Sequence, residues 1–482
     1  APVARELAEK GLAVLMLEEG DHFTRMDFNG RALEAQRKMY RNSGATVALG
    51  NHFIPIPVGK TVGGSTTINS GTCFRLPEST MAHWRNEMGL HEFTAEMMDE
   101  YFEKVEKTIQ VEEAKWEYIG GPGRVIARGS DALGYSHKPL KRNAPECDGQ
   151  GLCCFGCPTD AKRSTNVSYV PEALKSAAQL MTGVRVTRVL IEGGKAVGVE
   201  GVIKSESGKR KLTVRAKVVV LSCGTFYTPT LLMKQGICNS SGQLGKNLAI
   251  HPATQAMAWF PDEDIHSWDT IPQGYSVDHF KEEGLMFEGG TTPFDMSGAA
   301  LTLYGKKFTQ LMEDYNHIAM FGVMVKDTSR GQVRVGPGGM PLMFYWVNKK
   351  DRMQLQRGME ILSRIYFAAG AKEVYPGLSG WEVLRSTRDV ERMARAKVRV
   401  NQFDLSAYHP LGTCIMGNDP KKSVVGTTHE THDLKNLFIC DGSAVPSSLG
   451  VNPQVTIMAL ATRASEFIAR RVESLYGSAE AA

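Results

Sequence analysis

The amino-acid sequence predicts an α/β fold, and three features of the sequence support this prediction. Residues 1–10 have the spacing of an amphipathic helix, and the continuously apolar run of residues 12–17 follows directly after Gly11. A second buried strand is predicted over residues 214–221, which end in the apolar run 218–221. Such runs are typical of parallel strands that are covered by helices on both faces. Apolar positions that alternate through residues 317–325 indicate additional sheet.

Length and composition describe a large folded protein and favour neither a nucleic-acid nor a membrane partner. The chain has 482 residues, 42% of them apolar and 22% charged, with a net charge of +4. Its apolar runs fall short of the roughly 18 residues that a spanning helix needs. Nine cysteines, four of them within residues 147–157, favour a reducing compartment or a metal site over a disulfide-stapled fold. The sequence is compatible with a soluble cytoplasmic or periplasmic protein and does not decide between them.

The first predicted strand ends in a carboxylate, Glu18. In a dinucleotide-binding βαβ unit, an acidic residue at this point binds a ribose hydroxyl, about 20 residues after a G-x-G-x-x-G fingerprint. Counting back from Glu18 passes the first residue of the sequence. We therefore expect the sequence to begin inside such a unit, with Ala1 just beyond the phosphate loop. The alternative is an ordinary αβ unit in which Glu18 is solvated.

A glycine-rich segment follows at residues 59–72. It combines Gly63 and Gly64 with small hydroxyl residues, so its backbone N–H groups can approach a phosphate or a flat ring that a Cβ would hold away. Taken alone, the segment also fits a turn.

Two loops near the C-terminus carry a histidine and an asparagine, each directly before a proline. Proline disfavours the helical region for the preceding residue, so His409 and Asn452 are both expected in extended or turn backbone, and a helix is expected after Asn452. His409 can exchange a proton near neutral pH without a large shift of its pKa. Taken in isolation, the dipeptides His409-Pro410 and Asn452-Pro453 would be interpreted as turn residues.

Together these segments resemble the glucose–methanol–choline (GMC) oxidoreductases, a family whose members hold FAD. The resemblance runs from Ala1 to about Arg470, and its most specific part is the order and spacing of residues 408–414, 441–443 and 450–454. Cys73 departs from the pattern, because an aromatic residue or alanine is usual there. This departure bears on packing near the flavin.

The resemblance implies an FAD-binding Rossmann-like domain interleaved in sequence with a sheet-plus-helix substrate (cap) domain. The FAD-binding domain is expected in residues 1–75, 158–255 and 405–482, without its first strand and its G-x-G-x-x-G. The substrate domain is expected in residues 76–157 and 256–404. Because this domain varies most in the family, the substrate is predicted only as a small-molecule alcohol of apolar, sterol-like or sugar-like character.

The implied reaction is oxidation of an alcohol, with hydride transfer to flavin N5. His409 is the implied base, and Asn452 the implied hydrogen-bonding partner of the substrate oxygen. Asp441 is implied at the ribityl or pyrophosphate portion, and Asn69 and Thr72 beside the isoalloxazine. The full set implied to bind FAD is Glu18, Gly63, Gly64, Ser65, Asn69, Ser70, Gly71, Thr72, Val186, Gly224, Asp441, Gly442, Asn452, Pro453 and Gln454.

Two alternative functions remain compatible with this fold. One is a lyase reaction, as in the hydroxynitrile lyases of the family, and the other is a non-catalytic remnant that lacks the phosphate loop. The electron acceptor is not specified by the sequence: oxygen, a quinone, a cytochrome and an iron–sulfur relay all remain open.

The crowded cysteines have three interpretations. Some bacterial members of the family carry an iron–sulfur cluster on three cysteines at similar intervals, and Cys147, Cys153 and Cys157 would match, with Cys154 left over. The complete ferredoxin spacing is absent. A zinc site and a cysteine-rich loop near the FAD, with or without a disulfide, are the alternatives.

Two other histidine motifs receive structural interpretations. His251, which precedes Pro252, is expected to be structural rather than catalytic. Residues 429–432, with the sequence His-Glu-Thr-His, resemble a metal-binding pair, but their loop-like and polar setting favours a solvated turn.

Overall fold

The structure, a computed structural model, describes residues 1–205, 208–289, 294, 298 and 303–480. Its helices in these ranges are α1 (Pro2–Glu9), α2 (Ala32–Met39), α3 (Glu78–Asn86), α4 (Ala95–Thr108), α5 (Gly120–Leu133), α6 (Tyr169–Lys175), α7 (Gly224–Gln235), α8 (Lys306–Glu313), α9 (Lys349–Ala368), α10 (Thr387–Arg395) and α11 (Gln454–Glu480).

The strands in the same ranges are β1 (Leu15–Leu17), β2 (Val47–Gly50), β3 (Ile54–Pro55), β4 (Glu112–Glu113), β5 (His137–Pro139), β6 (Lys141–Arg142), β7 (Gln179–Met181), β8 (Val184–Glu192), β9 (Lys195–Ser205), β10 (Gly208–Arg215), β11 (Val219–Leu221), β12 (Ala253–Trp259), β13 (Tyr275–Val277), β14 (Leu285–Glu288), β15 (Ile318–Val325), β16 (Gln332–Val335), β17 (Pro341–Tyr345), β18 (Glu373–Tyr375) and β19 (Leu437–Ile439).

Two short parallel pairs form the α/β part of the molecule, which confirms the predicted fold class. β1 pairs with β7, and β11 pairs with β19. Helices α1 and α11 share a hydrophobic cluster with β19, in which Val3, Leu7 and Phe438 are buried beside Ala464. β1 is shorter than the predicted apolar run, because the N–H groups at residues 11 and 12 still bond to carbonyls at the end of α1.

Residues 214–221 do not form one strand, contrary to the prediction. β10 ends at Arg215 in an antiparallel meander of β8, β9 and β10, and β11 begins at Val219 in a parallel pair. The N–H of Ala216 still bonds to Val197 O, after which the chain passes from one sheet to the other. Arg215 and Lys217 interrupt the apolar residues here, a sign of the crossing that the prediction passed over.

The sequence of residues 161–178 predicts a helix, but in the structure α6 covers only Tyr169–Lys175. The preceding backbone groups are used elsewhere. The N–H of Thr165 donates to Thr66 Oγ1 at 3.0 Å, and the N–H of Arg163 donates to Asn143 O at 2.7 Å. Contacts to the glycine-rich segment therefore replace the first helical turns.

A six-stranded sheet, in the order β18-β12-β15-β14-β13-β5, forms the second part of the molecule. Helix α9 packs on it through buried apolar side chains, and Tyr366 OH donates to Ala256 O at 3.1 Å. The predicted strand around residues 317–325 is present as β15. The amphipathic pattern of residues 353–368 predicts a helix, which is present as part of α9. Strands β14 and β15 carry Glu288 and Met324 toward the two C-terminal loops.

Within the described ranges, no helix combines the length and the apolar character that crossing a membrane requires.

Candidate active site

The first histidine loop, residues 408–414, lies directly against the turn that follows β19. The N–H of Gly412 donates to Gly442 O at 3.0 Å, and the N–H of Cys414 donates to Ser443 O at 2.7 Å. The hydroxyl of Thr225, in the first turn of α7, donates to Pro410 O at 2.6 Å. Backbone hydrogen bonds thus hold His409 at the carboxyl end of the β11–β19 pair, where ligands bind in α/β folds.

His409 and Asn452 meet in the structure. His409 Nε2 lies 3.4 Å from Asn452 Nδ2, and His409 Nδ1 lies 3.0 Å from the sulfur of Met324. Because a thioether only accepts hydrogen bonds, the ring hydrogen is assigned to Nδ1, and Nε2 keeps its lone pair toward Asn452. Burial, together with neighbouring His251, lowers the pKa of His409 to about 3. The imidazole is therefore neutral at physiological pH.

His251 connects the loop of His409 to the loop that contains Leu449 and Gly450. Its Nε2 accepts the N–H groups of Leu449 at 2.9 Å and Gly450 at 3.1 Å, so its Nδ1–H donates to His409 O at 3.2 Å. Its own backbone, at a φ of +53°, is held by the carboxylate of Asp327, which accepts the N–H of His251 at 3.3 Å. His251 therefore joins two loops rather than facing a reactant.

The glycine-rich segment packs against the start of α11. Asn69 Nδ2 donates to Gln454 Oε1 at 2.9 Å, and Gln454 Nε2 donates to Thr72 O at 2.7 Å. Since Gln454 follows Asn452 by two positions, these bonds bring the predicted flavin-flanking residues beside the His409–Asn452 pair. Gly63 has a φ of +92°, and a Cβ there would meet Thr67 Oγ1 at 2.3 Å, so only glycine fits.

Asp441 joins the ends of β11 and β19. Its Oδ2 accepts the N–H of Gly224 at 2.9 Å and the hydroxyl of Thr228 at 2.5 Å, and its Oδ1 accepts the N–H of Ser443 at 2.8 Å. The structure thus brings Asp441, Gly442 and Gly224 together, although Gly224 lies more than two hundred positions away in sequence.

Glu18 stands just beyond the end of β1. Its Oε1 accepts the N–H of Gly20 at 2.6 Å, and burial raises its pKa. The neighbouring Glu19 is engaged differently, because its Oε2 lies 2.6 Å from Arg41 Nη1 and its Oε1 lies 3.8 Å from Arg185. Glu18 is held by backbone N–H groups and remains the better acceptor for a ligand hydroxyl. Val186 follows Arg185 in β8 and is partly exposed.

Open space beside several of these residues fits a dinucleotide. Gly64 and Gly224 both have positive φ, and nothing lies within 4 Å of the position that a Cβ would take. Cys223 is exposed, yet burial raises its pKa to about 12, and it lies within electrostatic reach of Glu18 and Asp441. A side chain that is both accessible and surrounded by protein lines an internal cavity. FAD would be held here between Glu18 and Asp441.

A second accessible interior position lies next to His409. Tyr408 exposes 57% of its side chain, yet burial raises its pKa. As at Cys223, accessibility combined with desolvation places Tyr408 on the wall of a cavity rather than on the outer surface.

The cysteine-rich segment packs on the other side of the glycine-rich loop. Buried Lys162 donates from Nζ to the carbonyls of Thr67 at 2.8 Å, Asn69 at 2.7 Å and Cys153 at 2.7 Å. Buried Arg142 donates to Ser70 O at 2.7 Å and to the sulfurs of Cys153 at 3.1 Å and Cys147 at 3.8 Å.

The thiols of this segment surround cations in the structure. All nine cysteines fall in the described ranges, and all are free thiols. Cys157 Sγ accepts the N–H of Lys162 at 3.4 Å. In the part of the chain that the structure describes, no three histidine, cysteine or carboxylate side chains are grouped as metal ligands.

The motif at residues 429–432 forms a turn, but the expectation that it is solvated was wrong. His429 is 2% exposed and its Nδ1 lies 2.8 Å from Ile439 O, while His432 Nε2 lies 2.8 Å from Ser423 Oγ. A bridge between Glu430 and Phe438 draws the turn against β19 and into the core. The polar composition of residues 429–432 therefore led to the wrong expectation that the turn is solvated.

Sequence reasoning missed three side chains near the catalytic pair. Gln273 Oε1 accepts the hydroxyl of Thr72 at 2.8 Å, and it is also hydrogen bonded to Ser70. Met324 touches His409, and buried Glu288 lies close enough to Asn452 for the amide to lower its pKa. A carboxylate in the otherwise apolar residues 285–288 was a readable signal for Glu288. Nothing local distinguished Met324 among 22 methionines.

Comparison with protein families identifies the class. Two family models described as GMC oxidoreductase, one for the N-terminal and one for the C-terminal region, match residues 36–253 and 327–461. The chain belongs to the GMC oxidoreductase family. Membership in this family indicates FAD as the cofactor, in agreement with the fit of the cavity residues.

Several relatives place the chain within the family. A GMC-type oxidoreductase of Mycobacterium tuberculosis is 34% identical over 463 residues, which are 96% of this chain and 72% of the relative. A long-chain-alcohol oxidase of Arabidopsis thaliana is 29% identical, over 94% of this chain and 65% of the relative. A 2-methyl-1,2-propanediol dehydrogenase of Mycolicibacterium austroafricanum is 26% identical, over 66% of this chain and 59% of the relative.

A solved structure confirms the fold. Formate oxidase of Aspergillus oryzae, in a structure concerned with the effect of a mutation on FAD modification, superposes with a TM-score of 0.73. The superposition covers 98% of this chain and 96% of the oxidase chain, at 17% sequence identity. At that identity the likeness concerns the fold alone.

Proposed function

We propose that this protein is an FAD-dependent oxidoreductase that oxidises an alcohol, with His409 as the base that takes the hydroxyl proton. The observation that supports it is the neutral imidazole of His409, whose Nε2 faces Asn452 at 3.4 Å beside an interior cavity. Bound FAD supplies the hydride acceptor, N5 of the flavin. The protein must then bind the alcohol, orient its carbon and remove its proton.

The low pKa of His409 determines when it can take up the proton. With a pKa of about 3 in this buried setting, the ring does not hold a proton near neutrality unless negative charge develops next to it. Proton uptake at Nε2 is therefore expected to accompany loss of the hydride rather than to precede it. A base positioned in this way typically contributes about 10²–10⁴-fold to the rate.

Asn452 is the proposed partner of the substrate oxygen. Its amide can donate to that oxygen but does not take a proton, so it does not compete with His409. It is 6% exposed and lies two residues before α11, whose first N–H groups carry the positive end of the helix dipole. That end favours negative charge in the cavity after oxidation.

The proposed FAD contacts follow the predicted residues. Glu18 would accept a ribose hydroxyl, and Asp441 with Gly224 would lie at the ribityl or pyrophosphate portion. Asn69 and Thr72, tied to Gln454, would flank the isoalloxazine. These contacts accord with the proposed division into an FAD-binding domain (residues 1–75, 158–255 and 405–482) and a substrate domain (residues 76–157 and 256–404).

The proposed substrate is a small-molecule alcohol. The relatives named as a long-chain-alcohol oxidase and as a diol dehydrogenase support this class. The thioether of Met324 against the His409 ring makes the surroundings of the proposed base apolar, which favours an apolar carbon chain over a charged reactant.

Anaerobic reduction of the bound flavin tests the proposal. The yellow protein is mixed without oxygen with 1-dodecanol or with 2-methyl-1,2-propanediol, and dithionite serves as the positive control. We expect one of the alcohols to bleach the flavin absorbance. Cyanohydrin cleavage without any bleaching would instead favour the lyase. Absence of FAD uptake by the purified protein would favour a non-catalytic remnant.

The iron–sulfur hypothesis for Cys147, Cys153 and Cys157 stays a prediction. The buried cations Arg142 and Lys162 would offset the negative charge of a thiolate-ligated cluster, which supports it. In the structure, however, Arg142 lies between two of the three sulfurs. Iron and labile sulfide analysis of the purified protein, together with the spectrum before and after dithionite, decides between a cluster and free thiols.

A further inference from the structure

Glu288 is a buried acid in a place where the strand offers it no ionic partner. It ends β14 with 6% of its surface exposed, and its residue neighbours across the sheet are Ser276 on β13 and Gly322 on β15, neither of which ionises. The three preceding strand residues are apolar and buried. A carboxylate in such a setting is costly unless it is hydrogen bonded to a specific partner.

That partner is Asn452. Asn452 lowers the pKa of Glu288, as a nearby hydrogen-bond donor does, and each of the two side chains has a buried oxygen, Glu288 Oε2 and Asn452 Oδ1, that finds no hydrogen-bond partner in the described part of the chain. Asn452 Nδ2 carries two hydrogens. One points toward His409 Nε2 at 3.4 Å, which leaves the other for a carboxylate oxygen of Glu288.

Among the described residues, the ionisable groups on the elements packed around Glu288 each have another partner or are neutral. His409 and His251, on the loops that cover this end of the sheet, are both kept neutral because burial lowers their pKa values. Lys326, just after β15, donates to Thr80 Oγ1 at 2.7 Å. On α9, Arg357 donates to Glu360 at 3.0 Å, and beyond β13, Asp278 pairs with Lys138.

We propose that Glu288 is a positioning residue that keeps the amide of Asn452 turned with its nitrogen toward His409 and the substrate oxygen. As a carboxylate, Glu288 accepts one N–H of Nδ2, which leaves the second N–H for the alcohol oxygen. As a neutral acid, it instead becomes a donor suited to Oδ1, which favours the turned-over amide and presents an acceptor to the substrate. This inference rests on the proposed alcohol oxidation.

Only the ionised form of Glu288 orients the amide in this way, so the rate of flavin reduction should increase as Glu288 loses its proton. Burial raises the pKa of Glu288 to about 7, although the hydrogen bond from Asn452 lowers it. The rate of flavin reduction by the alcohol should therefore rise with pH through a single inflection near that value. His409 does not contribute to this inflection, because its own pKa lies far below.

Three variants separate titration from hydrogen bonding. Glu288→Gln keeps an acceptor for Asn452 but cannot ionise, so it should retain much of the high-pH rate and lose the inflection. Glu288→Leu removes the acceptor and should slow reduction by about 10- to 100-fold, as small misplacements of reacting groups do. Exposed Glu282, in the turn before β14, supplies the control Glu282→Gln, which should leave the profile unchanged.

A double-mutant cycle tests whether Glu288 acts through Asn452. In an Asn452→Ala background, Glu288→Leu should cause little additional loss, because the amide that it orients is already gone. An equal loss in both backgrounds, or an inflection that persists in Glu288→Gln, would overturn the proposal. Thermal unfolding of every variant separates these effects from a failure to fold.

A readout without substrate keeps this test separate from the proposed function. The infrared band of the protonated carboxyl group should disappear near the midpoint of the Glu288 titration, and it should be absent from Glu288→Gln. In Asn452→Ala the midpoint should move to higher pH, because the hydrogen bond that lowers the pKa is lost. An unchanged midpoint contradicts the pairing. If neither alcohol reduces the wild-type flavin while the midpoint shifts, the proposed function fails and the pairing stands.

Discussion

The His409–Asn452 pair and the cysteine-rich segment hold their buried ionisable groups in opposite charge states. At the pair, burial lowers the pKa of His409 to about 3, so the ring stays neutral. In the cysteine-rich segment, burial opposes charge on Arg142, but the thiols of Cys153 and Cys147 raise its pKa. A histidine can release its proton when it is buried, whereas a guanidinium cannot. The first region is suited to accept a proton, and the second to fix loops through permanent charge.

The two regions are connected through the glycine-rich segment. Lys162 binds the carbonyl of Asn69, and the side chain of Asn69 binds Gln454 next to the catalytic Asn452. Fixed charge on one side of the segment thus supports the loop that is proposed to flank the flavin on the other. Loss of the cation should therefore affect stability and FAD binding before it affects proton transfer.

Replacement of Lys162 should have the largest effect on stability. Lys162→Met leaves three buried carbonyl acceptors unpaired, which we expect to lower the free energy of unfolding by about 3–5 kcal/mol. Urea unfolding of the FAD-loaded protein measures this, with exposed Lys209→Met as the control. Equal midpoints for the two variants would show that the buried cation does not support the loop.

Acid should destabilise the protein through its buried neutral histidines, an effect that distinguishes the two regions. The pKa of His409 falls from 6.5 to about 3 on folding, and that of His429 falls to about 4. Between these values and 6.5 the unfolded chain binds more protons, so stability is lost as pH falls below 6.5, by about 1.4 kcal/mol per pKa unit for each histidine at most.

Urea midpoints measured from pH 7.5 down to pH 4.5 test this acid effect. His409→Asn and His429→Asn should each make the decline shallower, whereas Arg142, whose pKa is raised, should contribute nothing in this window. A decline that neither substitution alters would place the acid sensitivity outside these histidines.

A smaller effect is expected at the first strand. Glu18→Gln should weaken FAD binding about tenfold, because a neutral amide accepts a ribose hydroxyl less strongly than a carboxylate does. Glu19→Gln should weaken it less, since Arg41 already binds that carboxylate. Titration of the apoprotein with FAD, followed by flavin fluorescence, compares the two. Equal losses would argue against Glu18 as the ribose acceptor.

The local sequence pattern was sufficient to predict several helices and strands, but not which segments pair with each other in the fold. The apolar runs and helical spacing predicted α1, β15, α9 and the start of α11, because burial on one face leaves a periodic trace in sequence. The break at residues 216–218 was missed although Arg215 and Lys217 stand beside it and β10 is largely exposed. The turn at residues 429–432 was misjudged because its burial comes from pairing with β19, not from its own composition.

The candidate site depended on contacts between distant positions. His409 and Asn452 could be singled out from their loops and from resemblance to the family, and the structure places them together. Glu288 and Met324 reach the same point from two strands of a separate sheet, and sheet register is not encoded in short segments. Their contacts with the catalytic pair emerge only once both sheets are assembled.

Single-turnover reduction of the flavin in a matched pair of variants tests the central claim most directly. His409→Asn and His429→Asn each remove one buried, neutral histidine, but only the first faces Asn452 and the cavity. With an alcohol that bleaches the wild-type flavin, reduction should be about 10²–10⁴-fold slower in FAD-loaded His409→Asn and nearly unchanged in His429→Asn. A His409→Asn protein that binds FAD and is reduced at the wild-type rate would contradict the assignment of His409 as the base.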